Sequence, residues 1–254
     1  MPSLSFVDAR PFLMSRPPLV SHPHDRAGRS PTDSMSPQQL AEFLADRLRD
    51  SSRLPQPRMS PQLAYGRHRG PVPVGTRLAA VAVALYRDPL KGWTVPLTRR
   101  PRTLQHHAGQ ICLPGGQIEP DEDPLTAAIR EFEEELGIRP IVHSHCGELS
   151  TQYVYASKNL VHPVVVVVET PDRTWSPDPV EVQQVITLPL SILEDARHRR
   201  EIVRRRAVRV AGREVDQLVF RAAAIELDNQ LVWGATALIL DQLAQILHRE
   251  PTRR

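Results

Sequence analysis

Apolar and polar residues follow distinct patterns in different parts of this chain. At 36–50 the apolar residues recur at helical spacing, which predicts an amphipathic helix with Ser36 as its N-cap. Further along, short apolar runs predict strands, and the longest of them, Val164–Val168, indicates a buried strand. A last helical pattern of about 15 residues begins at Gly234.

The order of these elements indicates a fold class. Strands are predicted at 77–86 and 92–100. Pro96 favours an edge or a bulge for the second strand, because proline cannot donate to a ladder. Strands and helices follow one another without a regular strand–helix–strand rhythm. We therefore expect an α+β fold in which a mixed sheet lies between helices.

The distribution of proline divides the chain into three parts. Residues 1–75 hold 12 of the 25 prolines, a density typical of loosely attached chain. We expect residues 1–34 to be a disordered tail. Residues 35–75 then supply the first helix and a proline-rich lead-in, and residues 76–250 form the main domain.

Composition and charge argue against several classes of protein. The 32 Lys and Arg exceed the 29 Asp and Glu only slightly, and a net charge of +3 does not predict nucleic acid as a partner. No apolar run approaches the roughly 18 residues that span a bilayer, so no membrane segment is predicted. Cys112 and Cys146 show neither metal-ligand nor disulfide spacing, which indicates a reducing compartment such as the cytoplasm. Assembly as a homodimer stays open.

The most unusual local pattern is the acidic segment LPGGQIEPDEDPLTAAIREFEEELGI at 113–138. Asp123 suits an N-cap, and Gly137 suits a C-terminal stop, so a helix is predicted over Pro124–Leu136. At about 100° per residue, this helix has an apolar stripe that should face the core, comprising Leu125, Ala128, Ile129, Phe132 and Leu136.

Three glutamates share another side of the same helix. Glu131, Glu134 and Glu135 fall within roughly a 100° sector, whereas Glu133 points toward the opposite flank. A solvated acidic face is the usual explanation of such a run, but Arg130 is the only nearby cation that would relieve the repulsion. The alternative is a site for a hard cation, because carboxylates at this spacing can converge on Mg²⁺ or Mn²⁺.

The fixed positions of this segment resemble the Nudix box. Every one of them is filled at the right spacing, by Gly116, Glu122, Arg130, Glu131, Phe132, Glu134, Glu135, Gly137 and Ile138. The resemblance implies an α/β/α sandwich with a mixed β-sheet. It also implies hydrolysis of a nucleoside diphosphate that is linked to another moiety, with Mg²⁺ or Mn²⁺ as the cofactor.

The resemblance also implies a role for each residue of the box. The metal ligands would be the carboxylates of Glu131, Glu134 and Glu135, together with the backbone carbonyl of Gly116. The residues that support the box would be Glu122, Arg130 and Gly137, of which the first two form an internal ion pair.

The segment VPLTRRPRTLQHHAGQICLPGG at 95–116 resembles the coenzyme A pyrophosphatase branch of the Nudix group. It matches that branch in register at Leu97, Thr98, Arg100, Gly109, Pro114, Gly115 and Gly116. It departs from the branch at Pro96, Pro101, Gln105 and Leu113. The resemblance covers about 77–248 and implies cleavage of coenzyme A or acyl-coenzyme A to 3′,5′-adenosine bisphosphate and 4′-phosphopantetheine.

A coenzyme A-like substrate carries an extra 3′-phosphate, which calls for cationic groups near the glycine pair. The candidate substrate-binding residues are Arg99, Arg100, Arg102, Gly115 and Gly116. The alternative for the arginines is a solvated basic loop. Gln105 stands where the branch carries an arginine, and it cannot supply that positive charge. His106 and His107 could hydrogen-bond phosphate, but histidines in such a loop more often have a structural role.

The general base is not part of the box in every Nudix enzyme. Glu169 and Glu181 both lie at a suitable distance downstream, and the branch-like context PVEVQQV favours Glu181. The alternative is that Glu181 is an ordinary surface glutamate.

Three functions therefore stay open. The preferred one is a coenzyme A diphosphatase, and the second is a Nudix hydrolase of ADP-ribose or dinucleotides. The third is a non-catalytic nucleotide-binding module, against which the complete carboxylate set argues. The basic segment 196–215 predicts a β-hairpin with a turn at Ala211–Gly212, and only secondarily a contact with nucleic acid.

Overall fold

The computed structural model describes most of the chain between Thr32 and His248. The described ranges are 32–50, 54–56, 72–103, 108–154, 157–210 and 213–248. Residues 1–31, which make up most of the expected tail, lie outside these ranges, as do Gln105, His106 and His107.

Helices and strands succeed one another along the described residues. The helices are α1 (Pro37–Leu48), α2 (Pro124–Leu136), α3 (Leu190–Glu194) and α4 (Ala235–His248). The first strands are β1 (Arg77–Asp88), β2 (Gly92–Arg99), β3 (Ile111–Cys112), β4 (Gly115–Gln117), β5 (Val142–Glu148) and β6 (Gln152–Val154). The later strands are β7 (Asn159–Val168), β8 (Gln184–Pro189), β9 (Arg199–Val210), β10 (Arg213–Leu227) and β11 (Gln230–Trp233).

Eight strands of the described part form one mixed sheet. Its path is β3–β2–β1–β7–β5, while β4 pairs with β1, β6 with β7 and β8 with β2. The β1–β7 pair is parallel, whereas β2, β4 and β5 join this pair antiparallel. A separate antiparallel sheet has the order β11–β10–β9. The predicted mixed sheet is thus confirmed.

Alternate residues of β1 pack into two different layers of the core. On the side of α1 and α4, β1 contributes Ala79, Val83 and Leu85. On the side of α2, it contributes Ala80, Ala82, Ala84 and Tyr86. Because successive strand residues point to opposite faces, the sheet lies between two helical layers. The α/β/α sandwich of the α+β class is therefore confirmed.

Helix α1 has the start that its sequence predicts. The Ser36 side chain accepts a hydrogen bond from the Gln39 amide at 3.2 Å, and the Gln39 side chain accepts one from the Ser36 amide at 2.9 Å. The buried leucines of α1, Leu40, Leu44 and Leu48, belong to the same core cluster as α4. The first helix of the lead-in therefore packs directly on the sheet.

Proline 96 does not lie on an edge strand, so that part of the prediction is wrong. Strand β2 pairs with β8 from Thr94 to Arg99, and on its other side it pairs with β1 and β3. The pairing with β1 ends at Thr94, and the pairing with β3 begins at Thr98. Pro96 lies between these two points, so on that side of β2 it belongs to neither ladder, while on the other side it pairs with Thr187 of β8.

The basic segment forms the hairpin that was predicted. Strands β9 and β10 pair from Val210 and Arg213 to Arg199 and Ile225, with a register shift between Glu214 and Asp216. The turn itself, 211–212, lies outside the described residues. Both cysteines are free, and in the described part of the chain no helix has the length and apolar character needed to cross a bilayer.

Candidate active site

Helix α2 begins and ends at the residues that its sequence predicts. Asp123 caps it by accepting hydrogen bonds from the amides of Leu125 at 2.9 Å and Thr126 at 3.0 Å. Gly137 ends it with φ of 70°, and its amide donates to the Glu133 carbonyl at 2.8 Å. A Cβ on Gly137 would lie 2.0 Å from the Ser176 carbonyl oxygen, so glycine is required there by both conformation and space.

The glycine pair brings the backbone of β4 against α2. Gly116 pairs with Ala80 of β1, and a Cβ on Gly116 would lie 2.3 Å from the carboxyl carbon of Glu131. A Cβ on Gly115 would lie 2.2 Å from the Ala80 carbonyl oxygen. The absence of a side chain at Gly116 therefore lets the Glu131 carboxylate lie directly on the strand backbone, while its absence at Gly115 lets β4 lie close against β1.

Arg130 connects the loop to the helix. Its Nε and Nη2 donate to the two carboxylate oxygens of Glu122, both at 3.0 Å, and Nη2 also donates to the Gln117 carbonyl at 3.0 Å. Its Nη1 donates to Glu131 at 2.9 Å and to Glu134 at 3.2 Å. The hydrogen bond from Arg130 lowers the pKa of Glu122, as expected of a bidentate pair. The support role that the resemblance implied for Glu122 and Arg130 agrees with this geometry.

Glu135 is the buried carboxylate of the site. Only 3% of its surface is exposed, and the Thr98 hydroxyl donates to its Oε2 at 3.0 Å. Burial raises the pKa of Glu135 to about 7, and it raises the pKa of Glu131 as well. Both carboxylates therefore lie where removal from water disfavours their negative charge.

Glu181 and Arg100 lie within electrostatic range of the buried carboxylate. The charge of Arg100 lowers the pKa of Glu135, whereas the charge of Glu181 raises the pKa of both Glu135 and Glu131. The loop that carries Glu181 joins the end of β2, because the Gln183 amide donates to the Arg99 carbonyl at 2.7 Å. Arg100 and Glu181, although far from Glu135 in sequence, thus both lie close enough to α2 for their charges to act on Glu135.

Glu169, the other candidate base, lies elsewhere. It follows the end of β7, and its amide donates to the Ile141 carbonyl at 2.9 Å. The parallel register pairs Val167 with Leu85, whereas the site lies at Ala80, which pairs with Gly116. At about 3.3 Å per residue, Glu169 is about 20 Å along the sheet from the site.

The three candidate arginines are not brought together. Arg99 points to the face of β2 opposite Thr98 and donates through Nη2 to the Gln230 side chain. Arg102 is exposed in the turn beside Gly109. Arg100 alone is near Glu135, and its Nε is buried without a hydrogen-bond partner among the described residues. Of the three candidates, Arg100 is thus the one that lies near the carboxylates of α2.

The glutamates of α2 also differ from one another. Glu134 has 55% of its side chain exposed and binds Arg130. Glu133 points away, as predicted, and pairs with Arg139 at 3.2 Å. Since Glu131 and Glu134 contact Arg130 while Glu135 contacts Thr98, the three predicted ligands do not form a ready-made cluster. Accordingly, within the described ranges no group of three His, Cys, Asp or Glu side chains could hold a metal ion as arranged.

The chemistry of these residues nevertheless fits a hard divalent cation. Mg²⁺ and Mn²⁺ prefer carboxylate and carbonyl oxygens, which Glu131, Glu135 and Gly116 supply side by side. The raised pKa values of the two carboxylates mean that nearby positive charge would stabilise their ionised form. Glu134 would complete the set of ligands if its exposed side chain left Arg130 and turned toward the other two carboxylates.

Thr98 and Cys112 are site residues to which the sequence assigned no role. They form a cross-strand pair of β2 and β3, with 3.4 Å between Thr98 Oγ1 and Cys112 Sγ. Strand alternation could have placed Thr98 on the face opposite Leu97, but only the packing of α2 shows that this face meets Glu135.

The buried Glu135 predicts a pH dependence of stability in metal-free protein. Its pKa is about 7 in the fold against an ordinary 4.5, so the folded state holds its proton more tightly than the unfolded state. Stability is then lost as pH rises from 4.5 to 7, by up to about 3 kcal/mol. We expect urea unfolding with a chelator present to show that wild type loses stability relative to Glu135→Gln between pH 5 and pH 8. Parallel pH profiles for the two proteins would contradict the assignment.

Comparison with known proteins places this site in a family. The sequence model described as NUDIX domain matches residues 76–208. Nudix hydrolase 22, chloroplastic, of Arabidopsis thaliana is 30% identical over 192 residues, which are 71% of this chain and 59% of that protein. The uncharacterized Nudix hydrolase NudL of Photorhabdus laumondii is 33% identical over 172 residues, which are 66% of this chain and 84% of that protein.

One solved structure is similar to part of this chain. The MutT protein of Methanosarcina mazei Go1 is similar to this chain at 22% identity, with a TM-score of 0.37, covering 46% of this chain and 79% of that one. The alignment to the plant protein spans less than two thirds of its length, whereas the alignment to NudL spans most of it. A domain match over more than half of the chain, together with the identity to NudL, shows that the chain belongs to the Nudix family of pyrophosphate-cleaving hydrolases.

Proposed function

We propose that this protein is a Mg²⁺- or Mn²⁺-dependent diphosphatase of coenzyme A or acyl-coenzyme A. The observation that carries the proposal is the location of Arg100. This residue belongs to the segment that resembles the coenzyme A branch, and its guanidinium lies within electrostatic range of Glu135. A positive charge next to the proposed metal ligands suits an anionic substrate.

The proposed reaction breaks the pyrophosphate linkage of the substrate. The oxygen of a water molecule attacks one phosphorus atom and the bridging P–O bond breaks. Coenzyme A then gives 3′,5′-adenosine bisphosphate and 4′-phosphopantetheine, while acyl-coenzyme A gives the same bisphosphate and acylated 4′-phosphopantetheine. A bound divalent cation would screen the phosphate charge and acidify water. Glu131, Glu134, Glu135 and the Gly116 carbonyl would hold the cation, and Glu181 would accept the proton of the attacking water.

The structure supports Glu181 as the base through its exposure and its surroundings. Glu181 is an exposed loop residue, and its negative charge raises the pKa of Glu131 and of Glu135. A group that must reach a water molecule above the carboxylates has to be accessible in this way. We also infer a cytoplasmic location, since Cys112 and Cys146 are both free thiols.

A substrate panel tests the proposal. The purified protein is incubated with Mg²⁺ or Mn²⁺ and coenzyme A, acyl-coenzyme A, NADH, ADP-ribose or diadenosine polyphosphates, and the products are identified by mass. We expect 3′,5′-adenosine bisphosphate from coenzyme A. Turnover of ADP-ribose without turnover of coenzyme A would instead select the second Nudix activity, and no turnover of any compound would indicate a nucleotide-binding module.

Arg100 should contribute to substrate binding more than its neighbours do. We expect Arg100→Met to raise KM for coenzyme A about tenfold to a hundredfold, because a hydrogen bond to a charged group contributes about 1.5–3 kcal/mol. Arg102→Met is the matched control, and an exposed arginine of this kind should change KM by less than about fivefold. Steady-state kinetics at saturating Mg²⁺ measures both values. Equal effects of the two substitutions would contradict the distinction that the structure makes.

A further inference from the structure

The Thr98 hydroxyl contacts a metal-ligand candidate without being part of the Nudix box. Thr98 lies on β2, it is 1% exposed, and its Oγ1 donates to Glu135 Oε2 at 3.0 Å. Across the ladder, Cys112 Sγ lies 3.4 Å from the same hydroxyl oxygen and 3.7 Å from the Thr98 carbonyl oxygen. A buried hydroxyl group thus joins β2 to the Glu135 carboxylate of α2 by a hydrogen bond.

The chemistry of these groups determines the direction of the hydrogen bonds. An ionised carboxylate only accepts, so the single hydroxyl proton of Thr98 must point at Glu135. The Cys112 thiol is then the group that donates, either to the Thr98 hydroxyl oxygen or to the Thr98 carbonyl. Threonine is also branched at Cβ and sits in a strand, which restricts its χ1 angle and keeps the hydroxyl aimed at one place.

The packing leaves Glu135 few alternative positions. Its carboxylate is almost entirely buried between α2 and β2, and Thr98 is the protein hydrogen-bond donor that the structure gives it. Without that donor, one orientation of the carboxylate would no longer be favoured over the others. A ligand oxygen in the wrong orientation binds a cation less tightly.

We propose that Thr98 is a positioning residue that orients Glu135 for the divalent cation. The inference rests on the proposed function, because it takes Glu135 as a ligand of the metal. Thr98 does not touch the substrate, and it acts only through the carboxylate that it orients. By the same argument, the Cys112 thiol is the hydrogen-bonding neighbour of the Thr98 hydroxyl oxygen on the side away from Glu135.

The chain offers a closely matched control for this proposal. Thr94 lies four residues earlier on the same strand and on the same face, and it is fully buried. Its hydroxyl donates to the Tyr86 carbonyl at 3.3 Å, far from the carboxylates. Thr94→Val therefore removes a buried hydroxyl from β2 without removing a contact to Glu135.

The test compares Thr98→Val, Thr98→Ser and Thr94→Val. Valine keeps the shape of threonine without the hydroxyl, and serine keeps the hydroxyl. The binding of Mn²⁺ is measured by titration calorimetry in the absence of substrate, and folding is followed by circular dichroism. We expect Thr98→Val to bind Mn²⁺ about 10–100-fold more weakly than wild type, the range typical of lost support to a metal ligand. Thr98→Ser and Thr94→Val should bind within about threefold of wild type, a change of less than 1 kcal/mol.

Kinetics separates orientation of the ligand from a general loss of structure. At increasing Mn²⁺ concentration, Thr98→Val should recover turnover while KM for the substrate stays near its wild-type value. If Thr98→Val turns over slowly and added Mn²⁺ does not restore its turnover, the proposal is overturned. If Thr98→Val does not fold, Thr98→Ala provides the same deletion with less volume.

The outcomes distinguish this inference from the proposed function. Equal Mn²⁺ affinity of wild type and Thr98→Val, or equal losses in Thr98→Val and Thr94→Val, would overturn the role of Thr98 alone. Failure of wild type to cleave coenzyme A would overturn the proposed substrate, while the difference in Mn²⁺ affinity would still support Thr98. A wild type that binds no Mn²⁺ would overturn both.

Discussion

Replacing Glu135 by glutamine is expected to lower metal-dependent turnover about a thousandfold, because charge stabilisation by a bound cation is worth several kcal/mol. Glutamine has the same shape and can still accept the hydrogen bond from Thr98, so the fold should remain intact. It cannot supply the negative charge that attracts the cation. Single-turnover kinetics in Mg²⁺ and in Mn²⁺, with circular dichroism on the same samples, measures the effect.

Glu133→Gln is the control for that substitution. Glu133 lies on the same helix two residues earlier, but it points away from the site, has 42% of its side chain exposed and pairs with Arg139. Its replacement should alter turnover by no more than about twofold, as is usual for surface positions. Retained turnover in Glu135→Gln, or an equal loss in Glu133→Gln, would remove Glu135 from the set of ligands.

The second large effect is expected for Glu181. If this carboxylate accepts the proton of the attacking water, Glu181→Gln should lower kcat about a hundredfold or more, the usual contribution of a general base. The affinity for Mn²⁺ should change little, since Glu181 is not among the proposed ligands. Measuring kcat and Mn²⁺ affinity on the same variant therefore distinguishes a base from a ligand.

Glu169→Gln provides the matched comparison for Glu181. Both glutamates follow the Nudix box, and the sequence allowed either as the base, but Glu169 lies at the far end of β7. We expect the Glu169 variant to keep wild-type kcat. A loss of kcat in the Glu169 variant, with none in the Glu181 variant, would mean that the placement of the site along the sheet is wrong.

Helix α2 shows how much of the site local sequence predicts. Asp123, Pro124 and Gly137 set the helix boundaries, and the structure reproduces both ends. Caps and stops act through hydrogen bonds and backbone angles within a few residues of themselves, so sequence alone specifies them. Helical spacing likewise predicted that Glu133 points away from the other three glutamates of α2, and Glu133 does pair with Arg139.

The arginines and Thr98 show where that reasoning ends. Arg99 and Arg100 are neighbours in sequence, but strand alternation sends one toward Gln230 and leaves the other near Glu135. The sequence offered Arg99, Arg100 and Arg102 as candidates because they precede the glycine pair. It could not show which of them lies near Glu135. Thr98 looked like a motif position only, because its partner Glu135 is 37 residues away.

Sequence by itself determined the family, the boundaries of α2, the order of apolar strands and the candidate ligands. These properties depend on residue spacing and on interactions between residues close together in the chain. Tertiary structure alone decided that Glu135 is buried and that Arg130 also binds Glu131 and Glu134 of its own helix. It also decided that Glu181, and not Glu169, is close enough to act on Glu131 and Glu135 by its charge. The physical reason is that burial and charge–charge contacts arise between segments that meet only when the sheet is assembled.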